Sequence, residues 1–216
     1  MSRIYDCSDA SIRNAALKVA SDAVKDGRLV VMPTDTLYGI GCDAFDNNAV
    51  AKLLTTKQRG PDMPVPVLVG RWDTARGLVH SYSEQMRTLI EAFWPGALSI
   101  VVAQAPSLQW NLGDTRGTVM LRMPLHPVAI ELLRETGPMA VSSANVSGQK
   151  PATTALAAQE QLGDAVSAYL DGGATPVGTA STIIDLSGPS PRILREGAIS
   201  AERIAEVLDL DVEILR

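Results

Sequence analysis

Apolar positions recur along this chain in two rhythms, and the rhythms alternate from the first residues to the last. In "SDASIRNAALKVASDAVKDG", Ile12, Ala16, Val19, Ala20 and Val24 fall on one face at helical spacing, predicting a helix over 8–27 that Gly27 stops. "RLVVMP" (28–33) is an unbroken apolar run, as a buried strand requires. A helix over 47–58, a strand "VPVLVG" (65–70) and a helix over 82–96 ended by Pro95 and Gly96 follow. Strands are predicted at "ALSIVVAQ" (97–104) and "TVMLRMP" (118–124), separated by an irregular stretch. Beyond them lie a helix over 126–137 and a strand "PMAVSSAN" (138–145) that runs into a polar turn. The pattern closes with a helix over 153–163, a strand over 167–173, a hairpin over 181–197 and a helix over 200–210.

Interleaved strands and helices predict an α/β fold with a twisted, mixed sheet and flanking helices. No internal repeat or linker divides the chain, so 1–216 reads as one domain. Composition agrees: 46% of the residues are apolar and 20% charged, enough to bury a sizeable core in a soluble protein. No run approaches membrane-spanning length and the N-terminus has no apolar signal core, so the expected location is cytoplasmic, with no membrane partner. A net charge of −5 and 4% aromatics weigh against a generic nucleic-acid face. Cys7 and Cys42 stand far apart, without metal-ligand spacing, and read as reduced structural thiols.

Familiar chemical motifs fail one by one. "GIGCDA" matches a dinucleotide fingerprint, but "PTDTLY" separates it from its strand, so these glycines are expected to permit tight turns. No phosphate-loop motif and no G-x-S-x-G is present. His126 in "PLHPV" reads as a helix-start residue, and two histidines with two cysteines make no zinc set.

Five polar clusters stand at the ends of apolar strands, where α/β sheets place their ligands: "PTDTLYG" (33–39), "TKQRG" (56–60), "RGTVMLRMP" (116–124), "VSSANVSGQKPATT" (141–154) and residues 181–197. Their side chains are hydroxyls, an amide and Lys or Arg, an inventory suited to binding a polyanion and stabilising charge on it. Each residue has a plainer alternative. Lys57 and Arg59 read as phosphate-gripping cations or as a solvated helix end. Ser142, Ser143 and Asn145 read as anion donors or as a capped turn. Arg122 reads as a buried cation needing an anion or as an edge-strand arginine in water. Thr36 and Tyr38 place two hydroxyls at the mouth of the first strand, and Arg195 reads as a site cation or a surface one.

Taken in order, "VVMPTDTLYGIGCDA", "TKQRGPDMPVPVLV", "TVMLRMPLHP", "SSANVSG", "STIIDL" and "ILREGAIS" resemble the YrdC/Sua5 family across nearly the whole chain. The resemblance implies a YrdC-like fold with a concave, positively charged cavity. It also implies synthesis of threonylcarbamoyl-AMP from L-threonine, bicarbonate and ATP, with Mg2+ carried on the ATP, as the first step of N6-threonylcarbamoyladenosine formation in tRNA. By motif, Thr36, Arg122, Ser143 and Ser181 would contact threonine. Lys57, Arg59, Thr118, Asn145, Thr153 and Arg195 would hold ATP, with Lys57 and Arg59 offsetting charge in the transfer, and no side chain is assigned to a metal. The implied partners are the downstream tRNA threonylcarbamoyl-transferase machinery and, as an alternative function, RNA itself. A second enzyme reading on the same fold is carbamate adenylation.

Three departures stand out. "KQRGP" replaces the family's Lys-Gly-Arg-Pro stretch, Leu68 or a neighbour stands where some members carry a histidine, and the chain ends soon after the synthase region, like the short single-domain form.

Overall fold

Alternation along the strands sorts the apolar side chains into two cores, one on each face of a sheet. In the computed structural model, which describes residues 3–216, ten strands form one mixed sheet. They are β1 (Arg3–Asp6), β2 (Val30–Met32), β3 (Gly39–Asp43), β4 (Val67–Leu68), β5 (Leu98–Ala103), β6 (Thr118–Arg122), β7 (Met139–Ser143), β8 (Ala168–Asp171), β9 (Thr182–Asp185) and β10 (Arg192–Arg195). Their order is β1-β8-β2-β3-β7-β4-β6-β5-β9-β10. Pairing is parallel between β1 and β8, β8 and β2, β4 and β6, and β5 and β9, and antiparallel elsewhere.

Six helices flank the sheet: α1 (Ala10–Lys25), α2 (Asn47–Thr56), α3 (Glu84–Phe93), α4 (Pro127–Thr136), α5 (Ala155–Leu162) and α6 (Ala201–Leu208). Val31, Ile40, Cys42, Val67, Ile100 and Leu121 point to the face covered by α2, α3, α5 and α6. Val30, Met32, Leu68, Met139 and Val141 point the other way, against α1 and α4. Side chains cap several helix starts: Asp9 accepts from the Ser11 N–H, Ser83 from Met86, Thr154 from Ala157 and Ser200 from Arg203, each worth about 1 kcal/mol.

Three expectations from the sequence need correction. The glycines of "GIGCD" make no turn; they form β3, paired between β2 and β7. A Cβ on Gly39 would lie 2.6 Å from Val141 Cγ1, and one on Gly41 would lie 2.8 Å from its Cγ2, so glycine here permits close packing across the β3–β7 pair. The predicted strand over 65–70 pairs only at 67–68, because Pro64 and Pro66 have no N–H to give the ladder. Helix α1 buries Ala16, Leu17, Ala20, Ala23 and Val24, leaving Ile12 and Val19 half exposed. The other predicted helices and strands are present with trimmed ends, His126 stands at the N-cap position of α4, and β1 adds a strand the pattern did not predict.

Both cysteines are free and buried, and burial raises the Cys7 thiol to about 11 and the Cys42 thiol to about 12. They are inert at neutral pH. Among the described residues, no helix is long and apolar enough to cross a membrane.

Candidate active site

The face that α1 and α4 cover is only partly covered. On β5, β6 and β9, Ser99, Met120, Arg122 and Ile183 alternate with Leu98, Ile100, Val119, Leu121 and Ile184 of the opposite core, so they share this second face. No apolar helix stripe meets them. They line a cavity of about 250 Å³ together with the strand ends of β3, β4 and β7, the loop between β2 and β3, Arg59 and Arg195. Three guanidinium groups line it, and no carboxylate does.

Six of the residues nominated from sequence meet here: Thr36, Arg59, Arg122, Ser143, Ser181 and Arg195. Arg122 lies in the sheet interior between β4 and β5, at 7% exposure, which excludes the water-facing edge alternative. Its anion is internal. Nη2 donates to Asp35 Oδ1 at 2.7 Å, Nη1 to Thr36 Oγ1 at 2.9 Å and Nε to the Gly96 carbonyl at 2.9 Å. Burial lowers its pKa from the ordinary guanidinium value, and Asp35 acts against that shift.

Hydrogen-bond capacity identifies which hydroxyl is free for a ligand. Thr34 Oγ1 donates to the Leu37 carbonyl at 2.6 Å and accepts the N–H groups of Thr36 and Leu37 at 3.2 Å each. It has nothing left to offer or take. Thr36 Oγ1, 3.1 Å away, accepts from Arg122, and with Thr34 saturated its own proton is available to a ligand in the cavity. Tyr38 also lines the cavity, but its hydroxyl is bound elsewhere. Tyr38 Oη sits 2.6 Å from the Gly173 carbonyl and 3.1 Å from Asp171, and it accepts the Gly172 N–H.

Arg59 leaves the end of α2 and donates from Nη1 to Ser142 Oγ at 2.9 Å and from Nη2 to the Pro64 carbonyl at 3.2 Å. Its buried Nε has no partner. Burial lowers this guanidinium's pKa as well, with Asp62 opposing. Arg195 grips the Ser181 carbonyl with two nitrogens, at 2.7 and 3.2 Å. Gly197 allows that approach, since a Cβ there would fall 2.2 Å from the Ala180 carbonyl oxygen.

Four nominated residues do not line the cavity. Lys57 is 2% exposed, and its ammonium donates to the backbone carbonyls of Ser143 at 2.5 Å and Asn145 at 2.6 Å. Burial first, and Arg59 second, lower its pKa to about 8. It is no solvated helix end. Asn145 donates from Nδ2 to the carbonyls of Val146 and Gln149, which orients Oδ1 inward, buried and without a partner. Thr118 Oγ1 donates to the Thr115 carbonyl at 2.7 Å, and the Thr153 carbonyl accepts the Thr175 N–H.

Thr34, Met120 and Ile183, which lie within the polar clusters but were not singled out, and Ser99, which lies outside them, also line the cavity. Ser99 had a signal, since it is the single polar residue in "ALSIVVA". Two aspartates at strand ends are occupied: Asp35 by Arg122 and the Leu125 N–H, Asp185 by Ser187. Among the described residues, no three His, Cys, Asp or Glu side chains cluster for a metal.

Comparisons with known proteins match both the sequence and the fold. The sequence model of the Sua5/YciO/YrdC family, described under telomere recombination, matches residues 22–197. A Mycobacterium tuberculosis protein (strain CDC 1551 / Oshkosh), provisionally named threonylcarbamoyl-AMP synthase, is 62% identical over 215 residues, covering 100% of this chain and 99% of its own. The threonylcarbamoyl-AMP synthase of Pyrococcus abyssi (strain GE5 / Orsay) is 33% identical over 193 residues, 89% of this chain but 57% of the archaeal one. The crystal structure of P. abyssi Sua5 complexed with L-threonine superposes with a TM-score of 0.88 at 30% identity, covering 95% of this chain and 61% of that one. Since the family model spans most of the chain and a relative matches it from end to end, the chain belongs to the Sua5/YciO/YrdC family.

Proposed function

We propose that this chain makes threonylcarbamoyl-AMP from L-threonine, bicarbonate and ATP, releasing pyrophosphate, and acts as one domain over 1–216. The observation that carries this reading is the meeting of Thr36, Ser143 and Ser181 with Arg59, Arg122 and Arg195 in one cavity lined by no carboxylate. The names of its relatives support the reaction, and threonine in the P. abyssi structure supports the amino acid.

The chemistry then assigns work to this chain's own groups. The threonine amine forms an N–C bond to the bicarbonate carbon, and water leaves to give a carbamate. A carbamate oxygen attacks the α-phosphorus of ATP, and the bond to the β-phosphate breaks as pyrophosphate leaves. Nucleophile and leaving group are both anionic, so positioning and charge compensation carry the rate, and no covalent residue is needed. Thr36 and Ser181 donate to substrate oxygens beside the Arg122 guanidinium, and Ser143 closes that wall. Arg59 and Arg195, both on the cavity lining, bring their guanidinium charge to the phosphates.

Lys57 supplies buried positive charge and holds the Ser143 and Asn145 backbone in place. Asn145, with its Oδ1 buried, would act on the nucleotide through the turn whose carbonyl Lys57 holds. Thr118 and Thr153 stand outside the cavity lining and would act on the nucleotide through the loops they brace. Magnesium would arrive on the ATP phosphates, because the cavity lining has no carboxylate and Asp35 is already committed. The product is a reactive mixed anhydride, so a tRNA threonylcarbamoyl transferase must take it up directly.

Pyrophosphate release, measured with each substrate omitted in turn, tests the reading. Release that needs ATP, L-threonine and bicarbonate together is expected. Release without threonine would sink it and indicate carbamate adenylation or plain ATP hydrolysis.

A further inference from the structure

Ser99 lies on β5 at 2% exposure, in contact with the cavity, and its hydroxyl is 2.9 Å from that of Ser181. A buried serine amid "ALSIVVA" gives up apolar contact on both sides, so its hydroxyl is there for a hydrogen bond. Between them the two hydroxyls hold two protons. Their mutual bond uses one, and one remains.

The surroundings decide which oxygen keeps it. The guanidinium of Arg195 lies over Ser181, binding its carbonyl and reaching its Oγ at 3.4 Å. A cation on that side favours lone pairs facing it and drives the hydroxyl proton away from it. If Ser99 donates to Ser181, Oγ of Ser181 accepts from both Ser99 and Arg195, and its own proton points into the cavity. The opposite arrangement would leave Ser181 without a proton for any ligand.

We propose that Ser99 is a positioning residue: by donating to Ser181 it holds the Ser181 hydroxyl as a proton donor to a carboxylate oxygen of the amino-acid substrate. This rests on the function proposed above and adds a residue to it. The polarity of the pair also makes the site selective, since it rewards an acceptor at that point and offers nothing to an amide N–H or an ammonium.

Calorimetric binding of L-threonine and, separately, of ATP to the intact protein tests it, with Ser99→Ala, Ser99→Thr and Ser181→Ala compared. Losing one hydrogen bond to a charged group corresponds to roughly tenfold weaker binding. The expected result is about that loss for threonine in Ser99→Ala, unchanged ATP affinity, and recovery in Ser99→Thr, which restores the hydroxyl in a strand-compatible residue. Ser99→Ala added to Ser181→Ala should cost almost nothing more, because the two act as a unit. Wild-type threonine affinity in Ser99→Ala would overturn the proposal, as would equal loss of threonine and ATP binding with a lowered Tm. Failure of the wild type itself to bind threonine would overturn the functional reading and this proposal together.

Discussion

Asp35 and Arg122 form a buried ion pair at 2.7 Å, with side-chain exposures of 7% and 8%, and the same carboxylate oxygen accepts the Leu125 N–H at 2.8 Å. Thus one carboxylate fixes the guanidinium under the cavity and ties the chain entering α4 to the loop after β2. Truncating Asp35 to Ala leaves a buried guanidinium without its counter-charge, a loss of about 3–5 kcal/mol in analogous cases. Urea unfolding should register that loss, and the threonine KM should rise with it because Arg122 also holds Thr36.

Lys57 predicts an unusual pH dependence. Its folded pKa of about 8 lies below the usual 10.5. Below 8 both folded and unfolded states carry the proton, and the cost of burying the charge is fully present. Between 8 and 10.5 the folded state releases the proton first, so this group makes the protein more stable as pH rises, by on the order of 3 kcal/mol across the window. The Cys7 and Cys42 thiols act in the opposite direction above 9, because burial raises them. The Lys57 contribution is therefore read as the difference between wild type and Lys57→Met over pH 7 to 10.5. Activity should respond with the other sign, falling above pH 8 as the compensating charge is lost, and ATP should move that fall upward.

Arg59 should not tolerate lysine. Its two donations to Ser142 and Pro64 use the planar fork of the guanidinium and hold its charge at the cavity. An ammonium reproduces the charge but not the fork. Arg59→Lys should weaken ATP binding about tenfold or more while leaving threonine binding in place, as titration calorimetry with each substrate would show.

Gly39 is expected to be intolerant of a methyl group for a local reason. Gly39→Ala places Cβ against Val141 Cγ1 and should cost about 1–3 kcal/mol in thermal or urea unfolding. Adding Val141→Ala should return part of that loss, because the clash is with that side chain alone at 2.6 Å. Recovery by a distant stabilising substitution but not by Val141→Ala would place the strain elsewhere.

The sequence by itself determined the α/β class, most element positions and six of the cavity's polar residues. It could do so because helix and strand periods are local and because polar residues interrupting an apolar strand are visible in one dimension. Arg122 in "TVMLRMP" shows this directly, whereas Ser181 was named only through the family resemblance. Tertiary structure decided what each residue faces. The glycines of "GIGCD" looked like turn residues until β3 was placed beside Val141, a contact across about 100 residues of chain. Lys57 and Arg59 are neighbours in sequence with the same charge, yet one lies buried against two carbonyls and the other opens onto the cavity. Ser99 and Ser181 are 82 residues apart and meet only because β5 pairs with β9. Periodicity reports which face of its own element a residue occupies, whereas the partner across that face depends on strand order, and strand order is a property of the whole chain.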